Sequence, residues 1–165
     1  MQVISLRSIF EVDRQEFFEV LDQSRQELNQ QLSWVDEIQN HQDLDQYLEY
    51  IIAKEVLTDN CRSYLIYQGP KLVGMIDLHD IDWQKGKADL GYWLASSAWG
   101  QGIMTRAVGI LEKLNKEKLN LHEIHALIRE DNQRSQAVVK RCGYRFYQKI
   151  PSSRGRGFNE YLKEV

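Results

Sequence analysis

Hydrophobic residues recur along the first third of the chain with two spacings, each typical of one kind of element. Gln2–Ile9 alternates apolar and polar residues, as a half-buried strand does. From Asp13 to about Gln31 the apolar residues follow a helical stripe, and a second helical stripe begins after Asn40, a residue suited to capping it. A short loop over Ser33–Asn40 separates the two stripes. The pattern therefore predicts one strand followed by two helices.

After about Asn60 the hydrophobic period changes to two residues, which predicts strands. The predicted strands are Arg62–Gln68, Leu72–Asp82, Ala88–Leu94, Glu123–Arg129, Tyr144–Ile150 and Asn159–Lys163. Helical spacing returns over about Gly102–Lys116 and over Asn132–Cys142. Because helices interleave with the strands of one mixed sheet, we expect an α/β or α+β protein whose sheet is covered on both faces.

Composition narrows the class of protein. A length of 165 residues, with 42% hydrophobic and 27% charged residues, suits a single domain over residues 1–165. A net charge of −3 argues against a nucleic-acid partner held by bulk electrostatics. No apolar run approaches the roughly 18 residues of a membrane span, and the first residues lack a signal-peptide layout. We therefore expect no membrane partner and a cytoplasmic location, where two widely spaced cysteines form no disulfide framework.

The segment Gly91–Ala107 carries the clearest chemical signal. Its pattern predicts an aromatic strand, then a turn that contains Gly100 and Gly102, and then the start of an amphipathic helix. The free N–H groups at a helix start, together with the positive end of the helix dipole, form an anion site suited to phosphate. The sequence therefore predicts that a phosphorylated cofactor is held at this turn.

This order of elements, with the turn at its centre, resembles the GCN5-related N-acetyltransferase (GNAT) superfamily over nearly the whole chain. The superfamily signature for acetyl-CoA, Q/R-x-x-G-x-G/A, falls on Trp99–Met104, where Gly102 matches. Trp99 stands in place of the usual Gln or Arg, and Met104 in place of the usual small residue. The flanking strings ADLGYWL, WGQGIMT and RAV look like the ribosomal-protein-serine N-acetyltransferase branch of RimJ/RimL type.

Two further segments strengthen the resemblance to that branch. Its motif N-x-x-S-x-x-V, followed by a Gly-aromatic step, is matched by Asn132, Ser135, Val138 and Gly143-Tyr144. Leu28–Val35 is similar to a stretch that precedes the substrate groove in serine-acetylating members. The branch also tends to carry a Glu shortly after the Gly-aromatic step, and Tyr147 stands near that place here.

The resemblance implies a GNAT fold, with a mixed, mostly antiparallel sheet of about seven strands and helices on both faces. The sheet would be splayed in the middle, between the strand that ends at Leu94 and the strand Glu123–Arg129. Acetyl-CoA is implied as the co-substrate, with its pantetheine in the gap. The cofactor-binding residues implied are Trp93, Leu94, Gly100, Gln101, Gly102, Ile103, Met104, Thr105, Asn132 and Ser135.

Acetyl transfer to an amine needs a held thioester, a neutral nucleophile and control of charge at the leaving sulfur. The resemblance places the Ser135 hydroxyl near that sulfur, in a catalytic or a cofactor-binding role. Asp89 stands where many members carry a Glu that deprotonates the amine, and its shorter side chain favours a water relay. The alternative for Asp89 is a solvated strand-edge carboxylate.

The remaining candidate residues are of types that also have ordinary structural roles. Trp34, Tyr92 and Trp93 could wall a peptide groove, although aromatic residues on strands more often pack in the core. His122 and His125 have no third ligand in the sequence, so no metal is expected. Cys142 ends a helix rather than starting one, so packing is favoured over a nucleophilic role.

We therefore expect an acetyl-CoA-dependent N-acetyltransferase in which a primary amine attacks the thioester directly. By resemblance, the acceptor is the N-terminal α-amine of a protein, such as a ribosomal protein. Two alternatives stay open: an acetyltransferase for a small amine such as a polyamine or amino sugar, and a non-catalytic acyl-CoA-binding module. A homodimer is compatible with the resemblance, although no segment of the sequence demonstrates one.

Overall fold

The computed structural model describes residues 2–165, and in this part of the chain seven strands form one sheet. The strands are β1 (Ile4–Ser8), β2 (Arg62–Gln68), β3 (Lys71–Asp82), β4 (Lys87–Leu94), β5 (Glu123–Arg129), β6 (Arg145–Ser152) and β7 (Gly155–Glu164). Their order across the sheet is β1-β2-β3-β4-β5-β7-β6. The expected mixed sheet of about seven strands is confirmed.

The helices lie between these strands. They are α1 (Arg14–Gln23), α2 (Arg25–Asn29), α3 (His41–Thr58), α4 (Ile103–Leu114) and α5 (Gln133–Arg141). Short 3-10 helices occupy Ser33–Glu37 and Ser96–Ala98, and a π-helical turn over Asn115–Leu119 extends α4. Within residues 2–165, no helix combines the length and the apolar character that crossing a bilayer requires.

The prediction of one continuous helix from Asp13 to Gln31 is wrong, because the chain leaves helical geometry at Ser24. Ser24 lies within the apolar stripe and is 2% exposed, so its hydroxyl needs a buried partner. The partner is the backbone N–H of Ser96, which donates to Ser24 Oγ over 2.9 Å. The bond ties the break between α1 and α2 to the turn that follows β4.

The helices cover the sheet on both faces, as expected. On one face α4 contributes Ala107, Val108 and Leu111, which pack with α5 against the strands. On the other face Phe17 of α1 and Leu48 of α3 are fully buried against β2 and β3. Removing these apolar side chains from water is the main stabilisation of both layers.

The sheet opens between β4 and β5, which among the described strands are the one pair that runs parallel. They pair only from Lys87 with Glu123 to Asp89 with His125. Beyond that point β4 stays paired with β3 as far as Leu94, and β5 stays paired with β7 along its whole length. Each strand is thus held on its outer side while the two diverge, which confirms the predicted splay.

Gly74 lies on β3 where this strand supports the end of β4. A Cβ at this position would lie 2.3 Å from the Trp93 carbonyl oxygen and 3.0 Å from Leu94 Cα, both backbone atoms. We predict that Gly74→Ala lowers the free energy of unfolding by about 1–3 kcal/mol, as overpacking does. Denaturant titration followed by circular dichroism measures the change.

Gly109→Ala is the matched control, since a Cβ at Gly109 on α4 meets no atom within 4 Å. Alanine favours a helix over glycine by about 1 kcal/mol, so this variant should be at least as stable as the wild type. A Gly74→Ala protein of unchanged stability would contradict the close approach of β3 and β4.

Candidate active site

A cavity of about 760 Å³ lies beside the end of β4, on the edge that β5 leaves unpaired. Its walls come from the last residues of β4 and the turn after them, from the first turns of α4 and α5, and from the segment around α2. All of the residues predicted to bind the cofactor line it, except Gln101. The Gln101 side chain instead contacts Gln68 and the Ser97 carbonyl oxygen. Their roles in binding stay predictions.

The start of α4 forms an open cradle in the wall of this cavity. Gly100 and Gly102 adopt the left-handed conformation, with φ of 74° and 72°. A Cβ at either glycine would meet nothing within 4 Å, and no side chain caps the helix start at Gly102. The buried Thr105 hydroxyl also lacks a partner among the described residues. Because the first amides of a helix have no intrahelical acceptor, this cradle fits the diphosphate of coenzyme A.

Two arginines that were not predicted from the sequence add positive charge to the cavity. Arg134 and Arg141, both on α5, line it. The Arg134 guanidinium carbon lies 3.7 Å from the centroid of the Trp99 ring, while Trp99 Nε1 donates to the Leu94 carbonyl oxygen over 2.9 Å. Trp99, which replaces the usual Gln or Arg of the signature, thus holds a cation contributed by another helix.

Ser135 and Tyr92 form a hydroxyl pair in the same cavity. Ser135 Oγ donates to the Tyr92 hydroxyl over 2.9 Å, and that hydroxyl donates to the Ser135 carbonyl oxygen over 3.0 Å. Asn132 Oδ1 accepts from the Ser135 backbone N–H over 3.1 Å and so caps α5. Burial raises the pKa of Tyr92 well above its usual value, so its hydroxyl stays protonated. Tyr92 was expected in the acceptor wall, and the structure places it beside Ser135.

Trp34, which was also expected to wall the substrate groove, packs among other aromatic side chains. It stacks on Tyr47 with ring centroids 4.8 Å apart. Its ring also meets Trp93 edge-on, at a centroid distance of 6.4 Å. Trp34 is not among the residues that line the cavity, so its contact with that space runs through Trp93.

Asp89 lies at the point where the sheet opens. It is paired with His79 on β3 and belongs, with His125 on β5, to the last pair before the gap. Burial raises the pKa of the Asp89 carboxyl, and the nearby His79 opposes this shift. Asp89 is not among the residues that line the cavity, and its role as a base acting through water stays a prediction.

Both histidines beside Asp89 are held by carboxylates. His79 Nδ1 lies 2.6 Å from Asp77 Oδ1, a hydrogen bond that raises the pKa of His79. Burial disfavours the charge on His125, but hydrogen bonds to Glu123 (2.5 Å) and Glu160 (2.9 Å) outweigh it and raise the pKa. Asp89 therefore lies between two imidazoles, and the carboxylates beside each imidazole favour its protonated form.

The structure also bears on the nucleophile and metal candidates. Burial raises the pKa of the Cys142 thiol, which fits its assignment to packing. His79, Asp80 and Asp89 bring one imidazole or carboxylate atom each within 4.8 Å of one another, and no further feature assigns a cation to them. The expectation that the reaction needs no metal stays a prediction.

Comparison with known proteins decides the family. The family model described as acetyltransferase (GNAT) domain matches residues 4–145. The chain belongs to the GNAT acetyltransferase family. This confirms the resemblance found in the sequence and makes the protein an N-acetyltransferase that uses acetyl-CoA.

Relatives and solved structures agree with this family. YdaF of Bacillus subtilis (strain 168), named as a candidate ribosomal N-acetyltransferase, is 31% identical over 145 residues, which cover 86% of this chain and 77% of YdaF. The ribosomal-protein-serine acetyltransferase of Escherichia coli (strain K12) is 23% identical over 141 residues, covering 86% of this chain and 78% of that protein. The structure of RimL, a ribosomal L7/L12 alpha-N-protein acetyltransferase in complex with coenzyme A, matches with a TM-score of 0.89 at 20% identity, covering 100% of this chain and 96% of that one.

The left-handed turn at Gly102 can be tested without removing any side chain. A β-branched residue is strained at a φ of 72°, by about 1–2 kcal/mol, whereas Asn tolerates this region. We predict that Gly102→Val raises the dissociation constant for coenzyme A at least tenfold, an effect of about 1.4 kcal/mol, because it turns the first amides of α4 away.

Isothermal titration calorimetry measures this affinity, with Gly102→Asn as the control that should stay within about threefold of the wild type, or about 0.6 kcal/mol. Equal affinity of all three proteins would remove the turn from the cofactor site.

Proposed function

We propose that this protein transfers the acetyl group of acetyl-CoA to the N-terminal α-amine of a protein. The cavity along the open edge of β4, with the α4 cradle and the Ser135–Tyr92 hydroxyl pair in its walls, supports this function. The relatives support a protein acceptor, since they are named for acetylation of ribosomal proteins.

The residues of the cavity divide the binding of acetyl-CoA between them. The amides at the start of α4 receive the diphosphate, and Arg134 and Arg141 add positive charge to the same cavity. The edge of β4 beyond Asp89, which β5 leaves unpaired, offers backbone groups to the pantetheine. Acetyl-CoA itself supplies an acetyl group activated as a thioester.

The substrate amine attacks the acetyl carbonyl carbon, so a nitrogen–carbon bond forms and the carbon–sulfur bond breaks. The amine has a reference pKa of about 8, so only modest help is needed to free its lone pair. Asp89 takes the amine proton through a water molecule. On the other side of β4, the Ser135 hydroxyl and the protonated Tyr92 hydroxyl stabilise the departing thiolate by hydrogen bonding.

The role of the hydroxyl pair is tested by removing each hydroxyl. Ser135→Ala and Tyr92→Phe should each lower kcat by about 10- to 100-fold, somewhat less than the loss of an oxyanion-hole donor, because thiolate is a stable leaving group. The KM for acetyl-CoA should stay within about threefold, since the contact strengthens only as charge develops.

Steady-state kinetics at saturating acceptor separate these two effects, with Ser135→Thr as the control that keeps the hydroxyl. If kcat and acetyl-CoA affinity fall together, the pair binds the cofactor and has no catalytic role.

The role of Asp89 as the base is tested through the pH profile. A base acts when ionised, so kcat/KM should rise with pH through the pKa of Asp89, which burial places above the usual value of about 3.9. Asp89→Asn should abolish this lower ascending step and leave the step near pH 8 that belongs to the amine itself.

Asp80→Asn, which removes a neighbouring exposed carboxylate, is the matched control and should keep both steps. An Asp89→Asn profile that matches the wild type would discard Asp89 as the base.

The acceptor class is tested by measuring thiol release with a panel of amines. Peptides that begin with serine or alanine should give the highest kcat/KM, above polyamines and amino sugars. A preference for a polyamine or an amino sugar would contradict the protein acceptor. Coenzyme A binding with no thiol release from any acceptor would indicate a non-catalytic acyl-CoA-binding module.

A further inference from the structure

The segment of residues 24–32, which contains α2, crosses the opening between β4 and β5. At the β4 side, Ser24 Oγ accepts the Ser96 backbone N–H over 2.9 Å. At the β5 side, Arg129 Nη1 donates to the Gln30 carbonyl oxygen over 3.2 Å. The segment is thus tied to the end of both diverging strands, and residues 27, 28 and 30–32 contribute to the lining of the cavity.

Two polar atoms at this wall lack a partner among the described residues. They are Trp93 Nε1, a donor on β4, and Gln31 Oε1, an acceptor just after α2. Both atoms are buried, both residues line the cavity, and Trp93 is only 7% exposed. An unpaired buried polar group costs about 1–3 kcal/mol, and folded proteins keep few of them. A group that enters the cavity would supply the partners that these two atoms lack.

The indole N–H is held rigidly in place. Phe17 meets the Trp93 ring edge-on at a centroid distance of 5.6 Å, and Trp34 packs against it from another side. Gln31, by contrast, has a flexible side chain, so it can turn toward a ligand that has entered. A rigid donor and an adaptable acceptor that line the same cavity are suited to binding a group that has one hydrogen-bond acceptor and one donor.

An amide group has this pairing, since its carbonyl oxygen accepts and its N–H donates. A polyamine offers ammonium donors and no acceptor for the indole. Consecutive residues of a strand point to opposite faces, so Trp93 lies on the face opposite Tyr92 and Ser135. Trp93 is therefore on the side from which an acceptor would approach if the leaving sulfur lies at Ser135.

We propose that Trp93 Nε1 and Gln31 Oε1 recognise the first peptide group of the acceptor, so that the enzyme selects peptides with a free α-amine over amines that lack a carbonyl group. The proposal rests on the function given above. The carbonyl oxygen of the first residue accepts from Trp93, and the N–H of the second residue donates to Gln31. Glu27, which lines the same cavity, adds a carboxylate to it.

The first experiment uses the wild-type protein. It compares kcat/KM for a short peptide beginning with serine with that for the isostere whose first peptide bond is a trans-alkene, of the same shape but without carbonyl or N–H. We expect the alkene to be poorer by at least tenfold, because a site built around a hydrogen bond rejects an analogue that lacks it.

Trp93→Phe then tests whether the indole N–H is the group that donates to the carbonyl oxygen. This variant should lose at least tenfold in kcat/KM for the peptide and lose little for the alkene. It should keep the wild-type KM for acetyl-CoA, because Trp93 is expected to offer the pantetheine its backbone and not its ring. Gln31→Leu should also lower the preference for the peptide over the alkene. This variant provides a second test if Trp93→Phe is unstable. Trp83→Phe is the control, because Trp83 Nε1 already donates to the Asp59 carbonyl oxygen.

Three results would contradict these proposals, and each has a different meaning. A raised KM for acetyl-CoA with an unchanged peptide preference would assign the indole to a pantetheine amide and overturn the proposal. Equal activity of the wild type on peptide and alkene would also overturn it, while leaving the proposed function intact. A wild type that acetylates no peptide amine would contradict the proposed function itself.

Discussion

The end of pairing between β4 and β5 after Asp89 and His125 is the constraint on which the site depends. Backbone groups inside a protein need partners, so two strands that part in the middle of a sheet must be held from outside. Here β3 and β7 hold them. The open edges that remain can pair with a ligand, and the cavity lies along one of them.

One strand supplies groups to both sides of this opening. Tyr92 and Trp93 are consecutive on β4, so their side chains lie on opposite faces. Tyr92 joins Ser135 on the face of α5, and Trp93 packs with Phe17 of α1. The alternation of a strand thereby separates the proposed leaving-group contacts from the proposed acceptor contacts by the thickness of a single chain.

Positive and negative charges also lie in different parts of the site. The cavity carries Arg134, Arg141 and the positive end of α4, which suits the phosphates of a coenzyme. Carboxylates gather where the strands part, on Asp77, Asp89 and Glu160, with two histidines between them. A cationic amine and an anionic cofactor would thus each meet charge of the opposite sign.

Local pattern was enough to predict most elements but not the contacts between them. The bounds of β2 and β5 agree with the alternation of the sequence, because burial of alternate residues is a local signal. The break at Ser24 was missed because its cause, the bond to Ser96, joins residues far apart in the chain. The same holds for Arg134 on Trp99, since no spacing in the sequence indicates which ring a surface arginine will cover.

A crystal structure of the protein with coenzyme A would show whether the gap beside β4 is the cofactor site. We expect the diphosphate to accept hydrogen bonds from the amides of Ile103, Met104 and Thr105, and the sulfur to lie within hydrogen-bonding distance of the Ser135–Tyr92 hydroxyl pair. A coenzyme bound elsewhere, or one whose sulfur points away from both hydroxyls, would rule out this cofactor site.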